Sequence, residues 1–397
     1  MSQDRTSVLS PQSSVLGRLS AVTLQEIDAD PAWARAFANQ RKDHRYYRIV
    51  EETLHQGFEH RYFLLENSDG QRAVQPFFLL DQDVFAGAAP WVQNAAAKVR
   101  RIIPRFMKLR TLMVGCAAGE GRLDASDESR AAWIGNLLAE NLHAQSKKLR
   151  AAMVVMKEFH YETRAALNCL VDAGFTRVPS LPMTRLDINF ATFDDYMAKS
   201  LSKATRKDLR RKFRAAADAK DPITLQITSE IGDCVEEFYP LYMAVYNRSN
   251  LHFEKLTPEF MVRLGREMPD KVKYFLWRQG GRPVAMSLVM VNGDTLYDEY
   301  LGLDYAVALD LHLYFHTLRD IIQWGMENGY KWYVSSALNY EPKLHLKGRL
   351  EPLDLYVSHT SAIINFFLKI FLPWLEPTRA EKTLKKFPNF ADLWGEP

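Results

Sequence analysis

Leu296-Tyr297-Asp298-Glu299-Tyr300 sets two carboxylates among two tyrosines within five residues. Carboxylates accept protons and phenols donate them, so the stretch has the composition for general acid–base chemistry. Read as a strand, it alternates, with Asp298 and Tyr300 on one face and Tyr297 and Glu299 on the other. The competing reading is a strand face that is simply solvated or ion-paired. Asp304, just beyond, suits either an amine ligand or a turn. Tyr340 and Lys343 follow a second short apolar run, and Lys343 either neutralises a phosphate or carboxylate or lies on the surface. His312 and His316 share a helix face at i, i+4. No third ligand stands near them, so helix packing accounts for them better than a metal does, and no metal site is expected. Neither a nucleophile elbow nor a Cys–His arrangement occurs, which argues against a covalent intermediate.

A separate cluster is basic. Lys203, Arg206, Lys207, Arg210, Arg211, Lys212 and Arg214 recur at three- and four-residue spacing, with Asp208 the one acid among them and Leu209 and Phe213 to anchor the other face. Such a stripe fits the phosphates of a nucleotide cofactor, a nucleic-acid backbone or anionic lipid, or it is a plain surface helix. Net charge over the 397 residues is only +3, so any polyanion site must be local.

These residues need a scaffold, and the composition supplies one: 47% hydrophobic and 25% charged residues belong to a folded protein, long enough for two domains. Cys116, Cys169 and Cys234 are far apart, which suits a reducing compartment better than a disulfide framework. Residues 1–16 read as a disordered polar start without a signal peptide, and no apolar run is long enough to span a bilayer. A soluble, cytoplasmic chain is expected.

The pattern occurs twice. Arg61-Tyr62-Phe63-Leu64-Leu65, a Gly-containing turn and residues 74–80 read as a hairpin, as do Lys273-Tyr274-Phe275-Leu276-Trp277, Gly280-Gly281 and residues 284–291. Upstream, Val22-Thr23-Leu24-Gln25 matches Ile223-Thr224-Leu225-Gln226. Downstream, strand 111–116, helix 128–148 and strand 152–156 match strand 295–301, helix 308–328 and strand 332–335. Residues 183–188 and 353–357 then read as a closing strand for each half. The order of strand, helices, three-strand meander, helix, strand, helix, strand is repeated.

That order resembles GNAT acyltransferases, and the tandem looks like the FemAB-like group. Phe193-Asp194-Asp195-Tyr196-Met197, Leu201-Ser202 and Lys203-Ala204-Thr205-Arg206-Lys207 are similar to the segment introducing that group's catalytic half. Tyr300-Leu301-Gly302-Leu303-Asp304 looks like the end of its central strand, and Tyr340-Glu341-Pro342-Lys343 like its Tyr-Lys element. The resemblance implies an α/β fold of mixed sheets, with a degenerate N-terminal GNAT-like domain (17–190), a catalytic one (191–360) and an apolar helix and tail (361–397). It implies an N-acyltransferase in which an amine attacks an acyl donor directly. Glu299, or Asp298, would be the base and Tyr300 or Tyr340 the acid. Lys343, Lys203, Arg206, Arg210 and Asp304 would bind donor or phosphate. Acyl-CoA is the expected donor, yet residues 302–309 lack the glycine-rich phosphate loop of a typical GNAT. The rivals are transfer from aminoacyl-tRNA and a non-catalytic protein binding a lipid or cell-wall precursor. The expected acceptor is a small-molecule or lipid amine. For residues 99–108 and 363–372 a helix buried between domains is the preferred reading, and the alternatives are peripheral membrane contact at a bilayer interface or cover for a long acyl chain.

Overall fold

A computed structural model describes residues 17–83, 90–101, 108–249 and 253–395, setting aside a few side chains between 83 and 96. The start at 1–16 and most of residues 99–108 therefore lie outside the described residues.

Fourteen strands make two seven-stranded sheets among the described residues. The first contains β1 (Arg18–Val22), β2 (Glu59–Glu66), β3 (Arg72–Asp83), β4 (Lys108–Val114), β5 (Met153–His160) and β6 (Thr176–Pro179). The second contains β8 (Ile223–Thr228), β9 (Val272–Gln279), β10 (Arg282–Asn292), β11 (Thr295–Leu303), β12 (Trp332–Ser335) and β13 (Arg349–Glu351). In each, four antiparallel strands lead to one parallel pair, β4–β5 or β11–β12. The β9–β10 turn uses Gly280 and Gly281 at φ of 55° and 83°, the left-handed region that a two-residue hairpin requires.

The remaining strands are exchanged. β7 (Met183–Asp187) was expected to close the first sheet but lies in the second, between β12 and β13. β14 (Leu353–His359) was expected to close the second sheet but lies in the first, between β5 and β6. Both insert antiparallel to each neighbour. Each half therefore supplies the strand that fills the gap in the other's sheet, and cuts at 190 and 360 do not yield two closed domains.

The core is shared in the same way. Alternating residues of the first sheet face its helix Glu128–Lys148, through Phe63, Phe77, Leu137 and Leu142. The opposite face, with Tyr62 and Phe78, shares one cluster with Phe260, Tyr274 and Met286 of the second half. A further cluster joins the far face of the second sheet to the helices Phe193–Ser200, Lys203–Ala217 and Leu313–Glu327.

Two local expectations are corrected. Thr23 caps a short helix through a capping box with Glu26, whereas Ile223–Thr228 is strand throughout, so the Thr-Leu-Gln match is one of letters alone. The helix expected from 308 begins at Leu313, because His312 adopts a left-handed conformation that breaks it from the preceding turns. No described helix is long and apolar enough to cross a membrane.

The exchange has a measurable consequence. Residues 1–190 and 191–397 expressed separately are each expected to be insoluble, and expressed together to copurify as a complex. A cooperative thermal unfolding transition from isolated 1–190 would contradict the exchange.

Candidate functional site

The site arises from how β11 leaves its neighbours. β11 pairs with β12 only over Thr295–Asp298, and Asp298↔Ser335 is the last pair. The Ser336 N–H still donates to the Asp298 carbonyl at 3.1 Å, after which β12 has ended while β11 continues to Leu303. Residues 299–303 thus have no strand partner on that edge. On the other edge the register with β10 slips between Leu288 and Val289, which oppose Tyr300 and Asp298 and leave Glu299 as the extra residue of a β-bulge. The slip corrects the alternation. Asp298 points to one face, whereas Glu299 and Tyr300 both point to the face shared with the N-terminal half. Gly302 lets the strand lie directly on the helix Val235–Arg248, since a Cβ there would stand 2.6 Å from the Tyr242 backbone nitrogen.

On its face, Asp298 accepts hydrogen bonds from the Ser287 hydroxyl and, at 2.6 Å, from the Tyr333 hydroxyl. Burial pushes its carboxyl above the usual aspartate range, against the pull of both hydroxyls. Lys343 is close enough to feel that charge. Its ammonium donates to the carbonyls of Ser336 and Leu338, and burial pushes it down to about 7 although Asp298 opposes the shift. The start of the helix Leu313–Glu327 adjoins this group, with Asp298 acting on Tyr314.

The opposite face holds a second set. The Tyr300 hydroxyl donates to Glu254 Oε1 at 2.8 Å. Burial pushes Glu254 above the ordinary glutamate range, with Lys157 and the Tyr300 bond pulling it back. Lys157 comes from β5 of the other half, donates to the Gly119 carbonyl at 2.8 Å and to Glu158 at 2.7 Å, and lies 4.9 Å from the Phe253 ring.

Glu299, the favoured base, is committed elsewhere. Its two oxygens meet Arg41 Nε at 2.6 Å and Lys42 Nζ at 3.2 Å, and both cations also hold Glu120, at 2.6 and 2.9 Å. All four side chains are no more than 5% exposed. Burial opposes the ionisation of Glu120, and Arg41, Lys42 and Arg122 together overcome it and hold the carboxyl below its usual range. The ring of Tyr297 lies 3.9 Å from the Arg41 guanidinium. Both Glu299 oxygens are thus engaged by buried cations, and the arrangement is a neutral ionic bridge between the halves. The bridge also bears on Gly119. A Cβ on Gly119 would stand 2.1 Å from Lys42 Nζ, so the glycine leaves room for the lysine.

Other candidates fall outside the gap. Tyr340 spends its hydroxyl on the Pro182 carbonyl at 2.8 Å and packs with Phe387 and Leu393, its ring 5.5 Å from Lys343 Nζ. Asp304 caps its own turn by accepting from the Ala306 N–H at 2.9 Å and pairs with Arg282. Arg206 is tied to the Leu201 carbonyl at 2.7 Å, and Arg211 and Lys212 to Asp208. Lys203, Lys207, Arg210 and Arg214 remain, exposed and without a partner among the described residues, at i, i+4, i+7 and i+11 on one face of the helix Lys203–Ala217. That helix packs beside the start of Leu313–Glu327, where Arg211 and Lys212 act on His312. His316 bonds Asp320 at 3.0 Å. Among the described residues no group of His, Cys, Asp or Glu is arranged to hold a metal.

Sequence reasoning missed Glu254, Lys157 and Tyr333. Glu254 sits in an aperiodic connection with no signal. Lys157-Glu158, charged in the middle of the apolar strand β5, was a signal that went unread.

The family model described as an acetyltransferase (GNAT) domain matches residues 203–341. None of the curated proteins matches the sequence. Among solved structures, FemX is similar over 85% of this chain and 96% of its own, at 12% identity and a TM-score of 0.50. A tandem GNAT protein from the clavulanic acid biosynthesis pathway is similar over 87% and 99%, at 11% and 0.46. L-PGS from Bacillus licheniformis is similar over 82% and 95%, at 14% and 0.47. At such identities the likeness is one of fold. The chain is two GNAT-like halves in tandem, as the repeated element order led us to expect.

Glu299→Ala would strand two buried cations on a single carboxylate, and a loss of about 3–5 kcal/mol is expected from chemical denaturation. A loss within about 0.5 kcal/mol, the range of an ordinary surface change, would mean that the four charges are not a buried unit.

Proposed function

We propose that the chain is an N-acyltransferase in which the acyl carbonyl sits in the parting of β11 and β12, with donor and acceptor on opposite faces. The observation that carries this is the parting itself, flanked on one face by Asp298 and Lys343 and on the other by Tyr300 and Glu254. The acceptor amine attacks the carbonyl, the C–N bond forms, and unpaired backbone N–H groups of residues 299–303 stabilise the developing oxyanion. Glu254, hydrogen-bonded by Tyr300, takes the amine proton. The bond to the leaving group breaks, and the Lys343 ammonium supplies the proton that the departing thiolate or alkoxide needs. Asp298 keeps Lys343 partly charged near neutrality. The four pieces convert an amine and an activated acyl group into an amide and a free thiol or alcohol, with no covalent enzyme intermediate.

The signs of the two shifts define a pH profile. Glu254 must be ionised, so kcat/KM rises with pH through a pKa above the usual glutamate range. Lys343 must be protonated, so kcat/KM falls as pH passes about 7. Glu254→Gln is expected to lower kcat about 100-fold and abolish the rising limb. Lys343→Met should remove the falling limb with little change in melting temperature, since it takes away a cation whose burial is costly. An unchanged profile in both variants would dismiss these assignments.

The GNAT-domain match supports acyl-CoA as donor, its phosphates at the start of Leu313–Glu327 beside the basic helix. A specific observation favours a second donor. Lys203 to Arg214 spans about 16 Å at 1.5 Å per residue, longer than a pyrophosphate and matched to several phosphates of a polynucleotide, which suits aminoacyl-tRNA. Coenzyme A raising the melting temperature by several degrees supports the first. Salt-sensitive tRNA binding, weakened uniformly by Arg210→Ala, with no effect of coenzyme A, supports the second.

A further inference from the structure

The helix Ala362–Leu375 is inverted relative to an ordinary surface helix. Asn365, Leu368 and Leu372 face the protein. Leu368 and Leu372 pack on the shared core, and Asn365 clamps the helix by donating to the Gly174 carbonyl at 2.9 Å and accepting from the His359 N–H at 2.9 Å. The other side carries Ile363, Ile364, Phe366, Phe367, Ile370, Phe371, Trp374 and Leu375, all exposed, with Ile363, Trp374 and Leu375 above 70%. At 100° per residue these eight side chains cover about half the circumference of the helix. None of the helix's residues is buried, so the burial between domains that sequence reasoning preferred does not occur among the described residues. Eight large apolar side chains left in water carry an unfavourable hydration that is relieved when something of matching chemistry covers them.

The charges around the helix indicate what covers it. Residues 362–386 contain Lys369, Arg379, Lys382, Lys385 and Lys386 against two acids, Glu376 and Glu381, and Glu376 is buried. Lys369, Lys382 and Lys385 are exposed and without a partner among the described residues. Arg379 lies 5.5 Å from the ring of Trp374, which pairs a cation with an amphipathic aromatic at the edge of the apolar face. A second copy of the chain meeting this face about a two-fold axis would set the same cations against each other. An acidic, amphipathic surface would not. The helix is about 21 Å long at 1.5 Å per residue and cannot cross a bilayer, but it can lie flat in one, aromatic side down and cations at headgroup level.

We propose that Ala362–Leu375 is a docking helix for the surface of an anionic membrane. The inference is independent of the acyl-transfer reading, since it concerns a surface outside the β11–β12 parting. The test is sedimentation of the full chain with vesicles of phosphatidylglycerol and phosphatidylcholine in equal parts, and with phosphatidylcholine alone. Binding to the anionic vesicles is expected to be at least about tenfold tighter, since the cations near the surface are attracted to anionic headgroups. The triple variant Phe367→Ser, Phe371→Ser and Trp374→Ser changes only exposed side chains and should melt as the parent does while losing about 100-fold in vesicle affinity. Absence of vesicle binding overturns the proposal. So does a dimer seen by light scattering that the triple variant dissolves, with neither form sedimenting, since the occupant is then a second copy.

Discussion

One residue too many in β11 decides which side chains meet on either side of the parted strands. The bulge at Glu299 breaks the two-residue period of the strand where its parallel neighbour stops. Asp298 is therefore left with the helices of the second half, while Glu299 and Tyr300 together face the first. A regular strand would have put Asp298 and Tyr300 on one side, and the two faces of the parting would carry different chemistry. The bulge also lies where β11 runs on past the end of its parallel neighbour.

Glu299 shows how a residue with the right type and position can be spent on architecture. Four buried charges of zero net sum are costly to desolvate, and they persist because each carboxylate oxygen has a cation and each cation two carboxylates. The arrangement ties the halves together, with Arg41 and Lys42 of one meeting Glu299 of the other. Because Arg41, Lys42 and Arg122 hold the Glu120 carboxyl below its usual range against burial, its share of the bridge is present at neutral pH and is lost as pH falls through that lowered pKa.

Much of the fold was legible in the sequence because it rests on periodicity. The hairpin around Gly280-Gly281, the strand Trp332–Ser335 and the helix Glu128–Lys148 each arise from local pattern and turn chemistry. The exchange of β7 and β14 was not legible, because a strand carries the same alternation whichever sheet receives it. The positions of Asp298, Tyr300 and Lys343 could be placed from residue type and order, since each sits on or beside the strand that the pattern located. The role of Glu299 was misjudged because its partners lie some 250 residues away in a polar run, Arg41-Lys42, that reads as solvated. Glu254 and Lys157 escaped because they become neighbours of Tyr300 only when two distant segments meet.

The reciprocal strands also bear on how the chain is made. As it leaves the ribosome, β5 and β6 are available long before residue 353, and the slot between them stays open while almost half the polypeptide is still to be synthesised. Two unpaired strand edges, the β5 one largely apolar, are exposed throughout that interval, so closure of this sheet waits on β14 and unpaired edges of this kind favour aggregation while the chain is nascent.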